Sequence, residues 1–241
     1  MLLRYRYAPG QTVAYAFRER IVSASATART TTALLTFSQR LRVTRVSATG
    51  VATAVVSESP HTLTTTSGGH RSVVTQPGQP PSAMALYPDG RSSVRAARPT
   101  AGGGAVSAPV FPARPVSPGD RWSRSAVFTL GGFTVRPLVI PDTERLTFIW
   151  YGVIDGERVA EVTIAVRVQR PGMAPPGGAR PTARVLVTSS TTSTLSIGLA
   201  SGDQVRVVQD RTTMVRAMTG ARSAAHGVLS TLTTHTEINR I

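Results

Sequence analysis

Hydrophobic and polar residues alternate along most of this chain with a period of two, the mark of strands with one dry face and one wet face. In 12–22, Val13, Tyr15, Phe17 and Ile21 point one way, and Ala14, Ala16, Arg18 and Arg20 the other. In 35–46, Leu35, Phe37, Leu41 and Val43 oppose Thr36, Ser38, Arg40, Arg42 and Thr44. The stretch 159–168 sets Val162, Ile164, Val166 and Val168 against Glu161, Thr163 and Arg167, and a similar alternation runs from Val228 to Ile238. Helical stripes with caps are missing; the best candidate, 214–224 with Met214, Met218 and Ala224, is broken by Gly220. The pattern predicts an all-β chain, a curved antiparallel sheet or half-barrel with little helix.

One strand departs from the alternation. Residues 145–154 are apolar on both faces, with Leu146, Phe148, Trp150 and Ile154 against Ile149, Tyr151 and Val153. Such a strand needs cover on both sides, by core on one and by a loop, partner or ligand on the other. Trp150, Phe148, Tyr151 and Leu146, with Trp122, are therefore the candidate floor of a ligand cavity.

Punctuation divides the chain. Gln76–Ser82, Ala96–Gly119 and Pro171–Thr182 are rich in Pro and Gly and read as loops. The middle one separates a first β-meander (1–95) from a second (120–241), with 96–119 as a linker inside one continuous domain. Within it, Val110-Phe111-Pro112 is placed to tuck an apolar anchor onto the sheet. Pro9-Gly10 opens a long strand in the first half and Pro118-Gly119 one in the second; Gly50 and Gly156 then stand where hairpins need positive φ. This order suggests an internal duplication of one meander.

Composition narrows the function. The 241 residues include no Cys, which removes disulfide frameworks, thiolate metal sites and cysteine nucleophiles. No run approaches the apolar length of a spanning helix. Net charge is +15, and all 27 basic residues are Arg. Residues 1–60 hold 8 Arg and 2 acids, a net +6, whereas 61–120, 121–180 and 181–241 each come to +3. Arg18, Arg20, Arg40 and Arg42 on adjacent strands would form one electropositive strip, a candidate contact for nucleic acid or an acidic polymer. Codon bias in a GC-rich genome, together with general surface charge, is the preferred account of the Arg excess, ahead of a nucleic-acid site.

The pattern LRYRYAPGQTVAYAF … LYPDGR … FPARPVSPGDRW … IDGERVAEVTIAV … TSTLSIGLASGDQVRVV is similar to a family of uncharacterised bacterial envelope proteins, secreted or lipid-anchored. Its marks are the Pro9-Gly10 strand opening, the Pro88-Asp89-Gly90 turn, the segment 115–122 and the closing strands. The resemblance implies a curved half-barrel like that of periplasmic lipoprotein and lipid carriers of the LolA/LppX kind, with a concave apolar face able to shield an acyl chain. It implies a cell-envelope, periplasmic or secreted location. Met1–Tyr7 already reads as strand, without the apolar core of a signal peptide or a lipid-attachment Cys, as expected of a mature form or a misassigned start, with a cytoplasmic member as the alternative.

Catalytic and metal constellations are weak. The pairs His61/His70 and His226/His235 lie on Thr-rich surface and read as solvated imidazoles. Asp142, Glu144, Asp155, Glu157 and Glu161 form the densest acidic stretch, with Asp142 and Asp155–Glu157 at expected turns. The G-x-S-x-G elbow and the G-x-x-x-x-G-K-[ST], G-x-G-x-x-G and H-E-x-x-H motifs are lacking. Thr30–Thr32, Thr62–Ser67 and Ser189–Ser196 suit exposed strand faces, which together with few aromatics argues against an outer-membrane barrel. The expectation is a non-enzymatic, cofactor-free envelope protein that holds a lipid-like ligand or docks a partner on its concave sheet. The alternatives are a basic module for nucleic acid or acidic polymer, and a scaffold subunit.

Overall fold

The computed structural model describes residues 1–25, 29–94, 110–130, 138–173, 184–219 and 224–241. Among these residues there is no helix, and thirteen strands form one antiparallel sheet. The strands are β1 (Thr12–Ser25), β2 (Thr31–Val46), β3 (Ala52–Glu58), β4 (His61–Ser67), β5 (His70–Gln76), β6 (Ser82–Leu86) and β7 (Ser92–Val94), then β8 (Arg121–Leu130), β9 (Leu138–Ile154), β10 (Glu157–Met173), β11 (Arg184–Gly198), β12 (Gln204–Thr219) and β13 (Ala224–Arg240). Their order is β7-β6-β3-β2-β1-β13-β12-β11-β10-β9-β8. Strand β2 is shared, pairing with β3 from Gln39 onward and with β4 over Thr31–Thr36; β5 adds to β4. The expected all-β curved sheet is thus present, and β7 and β8 leave it open.

Hairpin chemistry explains the turns. Asp155 and Gly156 both have positive φ, 48° and 79°, the pair that a tight hairpin between right-twisted strands demands. Gly50, at φ 78°, closes the turn before β3 with its N–H on the Ser47 carbonyl, 2.9 Å away. Asp142, expected at a turn, instead lies in β9 opposite Ala126. Pro171, expected to open a loop, stays in β10 opposite Leu186. It tolerates the strand because β9 pairs with β10 only as far as Ala165, so β10 there has a neighbour on one side.

The two Pro-Gly openings have the same hydrogen-bond pattern. Gly10 N–H donates to the Val43 carbonyl and Val43 N–H returns a bond to the Gln11 carbonyl; Gly119, Phe148 and Asp120 repeat this in the second half. In each, the side chain after the glycine, Gln11 or Asp120, accepts from the N–H three residues back.

One sheet face buries the core. A single layer that seals Val162, Leu195 and Val207 completely must curl that face over itself. Two extended segments help to cover it. Residues 1–7, expected as strand, run outside the sheet: Tyr5 N–H donates to the Pro88 carbonyl, while Met1 and Val116 exchange bonds of 2.8 Å. Phe111 N–H reaches the Asp89 carbonyl, and its ring lies buried between Tyr5 and Trp122. The expected Phe111 anchor is therefore in place. Together these segments span from the β6–β7 turn to β8 and β9, bridging the two sides of the open sheet.

The halves also join directly. β1 pairs with β13 from Tyr15 opposite Arg240 to Ser25 opposite Ser230, so the ladder runs through both meanders. Arg240 caps this junction with ion pairs to Glu157 and Asp203, and Gln11 donates to Asp203 at 2.9 Å. Burial opposes ionisation of Glu157, but hydrogen bonds from Ser201 and Arg240 hold its carboxyl below the usual range.

Candidate functional site

Antiparallel register stacks the inward side chains in rows across the concave face. The first row is wholly apolar: Phe148, Val162, Leu195, Val207, Ile238, Phe17 and Phe37, from β9 to β2. Phe17 stacks on Phe37 at 4.5 Å, and Phe37 on the His61 imidazole at 4.3 Å.

The next rows change character. Ile164 is followed by Ser193, Gln209, Thr236, Glu19 and Leu35, and Val166 by Thr191, Arg211, Thr234 and Ile21. A further row pairs Ser189 with Thr213, whose hydroxyls lie 3.0 Å apart, and Gln209 donates to the Ser193 hydroxyl at 2.9 Å. Ser189, Ser193, Thr213, Thr234 and Thr236 are all buried. Burial raises the Glu19 carboxyl above its ordinary range, and the Arg211 charge only partly offsets this. Near Arg124 the Tyr5 hydroxyl is buried with no hydrogen-bond partner among the described residues. The concave face is thus amphipathic, apolar beside the bridging segments and polar beyond them.

This corrects the reading of Ser189–Ser196 as an exposed tract at Ser189, Ser193 and Ser196, whereas Ser190 and Thr192 are exposed as expected. Phase decides it: Ser189 and Ser193 are in step with buried Val185, Val187, Leu195 and Ile197 on the same face of β11. Thr31, Thr32 and Thr62–Thr65 are half-exposed, nearer to expectation.

The five expected cavity residues do not share one face. Trp150 pairs with Glu161 and Phe148 with Val162, leaving Ile149 as an extra residue in a β-bulge. The bulge reverses the alternation, so Tyr151 turns inward, edge-on to Phe148 at 4.9 Å, and Trp150 turns outward, 51% exposed. On the convex face, a Cβ at Gly152 would stand 3.2 Å from the Trp150 ring and 3.6 Å from the Val159 side chain. Its indole N–H donates to Glu161 at 2.5 Å. Leu146 and Phe148 are sealed in the core, and Trp122 spends its N–H on the Val110 carbonyl at 2.8 Å. Sequence reasoning missed Glu19, Gln209 and Arg211; their signal was a charged or amide residue in phase with apolar neighbours.

The acidic stretch disperses. Glu144 is buried and paired with Arg124 on the concave side, Glu157 joins the Arg240 junction and Glu161 holds Trp150. The histidines differ from simple solvated rings: His61 also bonds Glu58 at 3.0 Å, and His235 bridges Asp210 and Glu237. The His226 side chain lies outside the described residues. No group of three or more metal-ligating side chains occurs among the described residues.

Arg18, Arg20, Arg40 and Arg42 are brought together as expected, exposed on the convex face of β1 and β2. A groove of about 450 Å³ lies beside two of them, lined by Arg18, Arg20, Thr32, Leu34, His235 and Glu237. No described helix is long and apolar enough to cross a membrane. No family model matches the chain, and no curated protein matches it.

Proposed function

We propose that this protein is a non-enzymatic envelope β protein that holds one amphipathic molecule on its concave face. The observation that carries the reading is the apolar row from Phe148 to Phe37, sealed as far as Ile238 and half-buried at Phe17 and Phe37, lying against a polar row of buried Ser193 and Thr236 with half-buried Gln209 and Glu19. The acyl tail lies against the half-buried end of the first row, Phe17 and Phe37, and a polar head meets Gln209, Glu19 and Arg211 in the next two. A core that served stability alone gains nothing from a desolvated carboxyl, since burying a charge costs free energy unless it is paired. The resemblance to periplasmic lipid carriers supports both the ligand class and the envelope location.

Native mass spectrometry before and after organic extraction tests this. An adduct of lipid-like mass that extraction removes is expected. The extracted protein should then rebind a fluorescent long-chain fatty acid, and Trp150→Ala should bind it unchanged because Trp150 lies outside the trough. A folded, extracted protein that takes up no acyl probe overturns the proposal.

A further inference from the structure

We infer that the convex face of β1 and β2 is a binding strip for a linear acidic polysaccharide, a site separate from the concave trough. Register sets its geometry. Arg42 stands opposite Thr12 and Arg40 opposite Ala14, while Arg18 stands opposite Thr36 and Arg20 opposite Leu34. The four guanidinium groups therefore follow one another along the strand direction, first on β2 and then on β1, over about 27 Å at 3.4 Å per residue. All four are exposed, and none makes a hydrogen bond or ion pair with a described residue. Arg18 and Arg20, like Arg40 and Arg42, stand two residues apart on one face, about 7 Å along the strand; like charges at that distance repel, and an extended polyanion relieves the repulsion.

The nearest acids are engaged elsewhere. Glu237 lies opposite Arg18 and His235 opposite Arg20. His235 takes Asp210 on Nδ1 at 2.7 Å and Glu237 on Nε2 at 3.3 Å. These contacts occupy both carboxylates with His235, and Arg18 and Arg20 line the groove beside them without an ion pair to Glu237, which lines it too. The neighbours of the strip decide the class of polyanion. Thr12, Thr36, Ser38 and Ser57 pair with or flank the arginines on the same face, together with Ala14, Leu34 and Val55, and the one ring paired with them is the His235 imidazole, held by two carboxylates. Proteins that hold single-stranded nucleic acid without sequence preference stack bases on aromatic side chains. A hydroxyl-lined row of arginines instead suits the anionic groups and hydroxyls of a sugar chain.

The test is fluorescence anisotropy with a labelled heparin-derived oligosaccharide, using a labelled single-stranded DNA of similar length for comparison. Four ion contacts predict a log–log salt slope of about −3, so that affinity falls about 50-fold between 50 and 200 mM salt. Arg40→Ser with Arg42→Ser should reduce the slope to about −1.5. Arg145→Ser with Arg167→Ser, exposed on the convex face of β9 and β10, removes equal charge and should leave it unchanged. Equal weakening by both pairs assigns binding to diffuse net charge and overturns the strip. Tighter binding of the DNA overturns the polysaccharide class, and no binding at 50 mM salt overturns the site.

Discussion

The hydroxyl pair Ser189–Thr213 offers a direct test of how the polar rows are held. Both residues are buried, at 2% and 1% exposure, and their oxygens are 3.0 Å apart. Thr213→Val keeps the shape of the side chain but leaves the Ser189 hydroxyl unsatisfied; Ser189→Ala does the reverse. Stranding a buried hydroxyl costs about 1–3 kcal/mol, whereas replacing both partners by apolar groups is nearly neutral. Each single variant should therefore lose about 1.5 kcal/mol, which in a chain of this size lowers Tm by roughly 3–6 °C. The double variant should lie within about 0.5 kcal/mol of the parent, giving a coupling of about 2–3 kcal/mol where distant sites would add. Urea unfolding followed by far-ultraviolet circular dichroism measures all four corners of the cycle. A double variant as unstable as the two singles summed would refute the pairing and, with it, the inward assignment of these rows.

Other expectations follow from the same geometry. Phe148→Ala should cost about 3–5 kcal/mol, whereas Trp150→Ala should cost much less and should remove the fluorescence most accessible to iodide; similar costs for both would mean that the bulge is misplaced. Gly156→Ala forces an L side chain into left-handed backbone at φ 79° and should cost about 1–2 kcal/mol by thermal unfolding; a neutral result would contradict the tight turn. His235 has its pKa raised by hydrogen bonds to Asp210 and then Glu237. Its stabilisation is full below about 6.5, the ordinary imidazole value, and is lost as pH rises through the raised one. The stability gap between the parent and His235→Gln should accordingly shrink from pH 6 to pH 9, and a gap that widens would reverse the assignment.

Much of this fold was legible because its strands alternate cleanly. Val162, Ile164, Val166 and Val168 lie inward as the period required, and Phe111 anchors where the apolar triplet in its loop suggested. What was not legible depended on events between strands. The bulge at Ile149 follows from how β9 and β10 pair, and alternation within β9 alone carries no trace of it. The burial of Ser189 and Ser193, by contrast, was within reach of the alternation, since both are in phase with Val185, Val187, Leu195 and Ile197; the run of hydroxyls hid it. The arginine strip was foreseen because its residues sit on two consecutive strands joined by a hairpin, where sequence spacing nearly fixes register.

The union of β1 with β13 has a kinetic consequence. Its partners, from Tyr15 opposite Arg240 onward, are separated by almost the whole chain. Contacts of such sequence separation close last and slow folding, because the entropy of ordering the intervening chain is lost before the ladder forms. At about 5–20 residues per second, β1 waits on the order of 10–45 s during synthesis before its second partner exists. In that interval it holds β2 on one side and leaves a long, unpaired edge on the other. An edge of this kind recruits strands from other chains, so the nascent first half is the stage at which this protein is most exposed to aggregation.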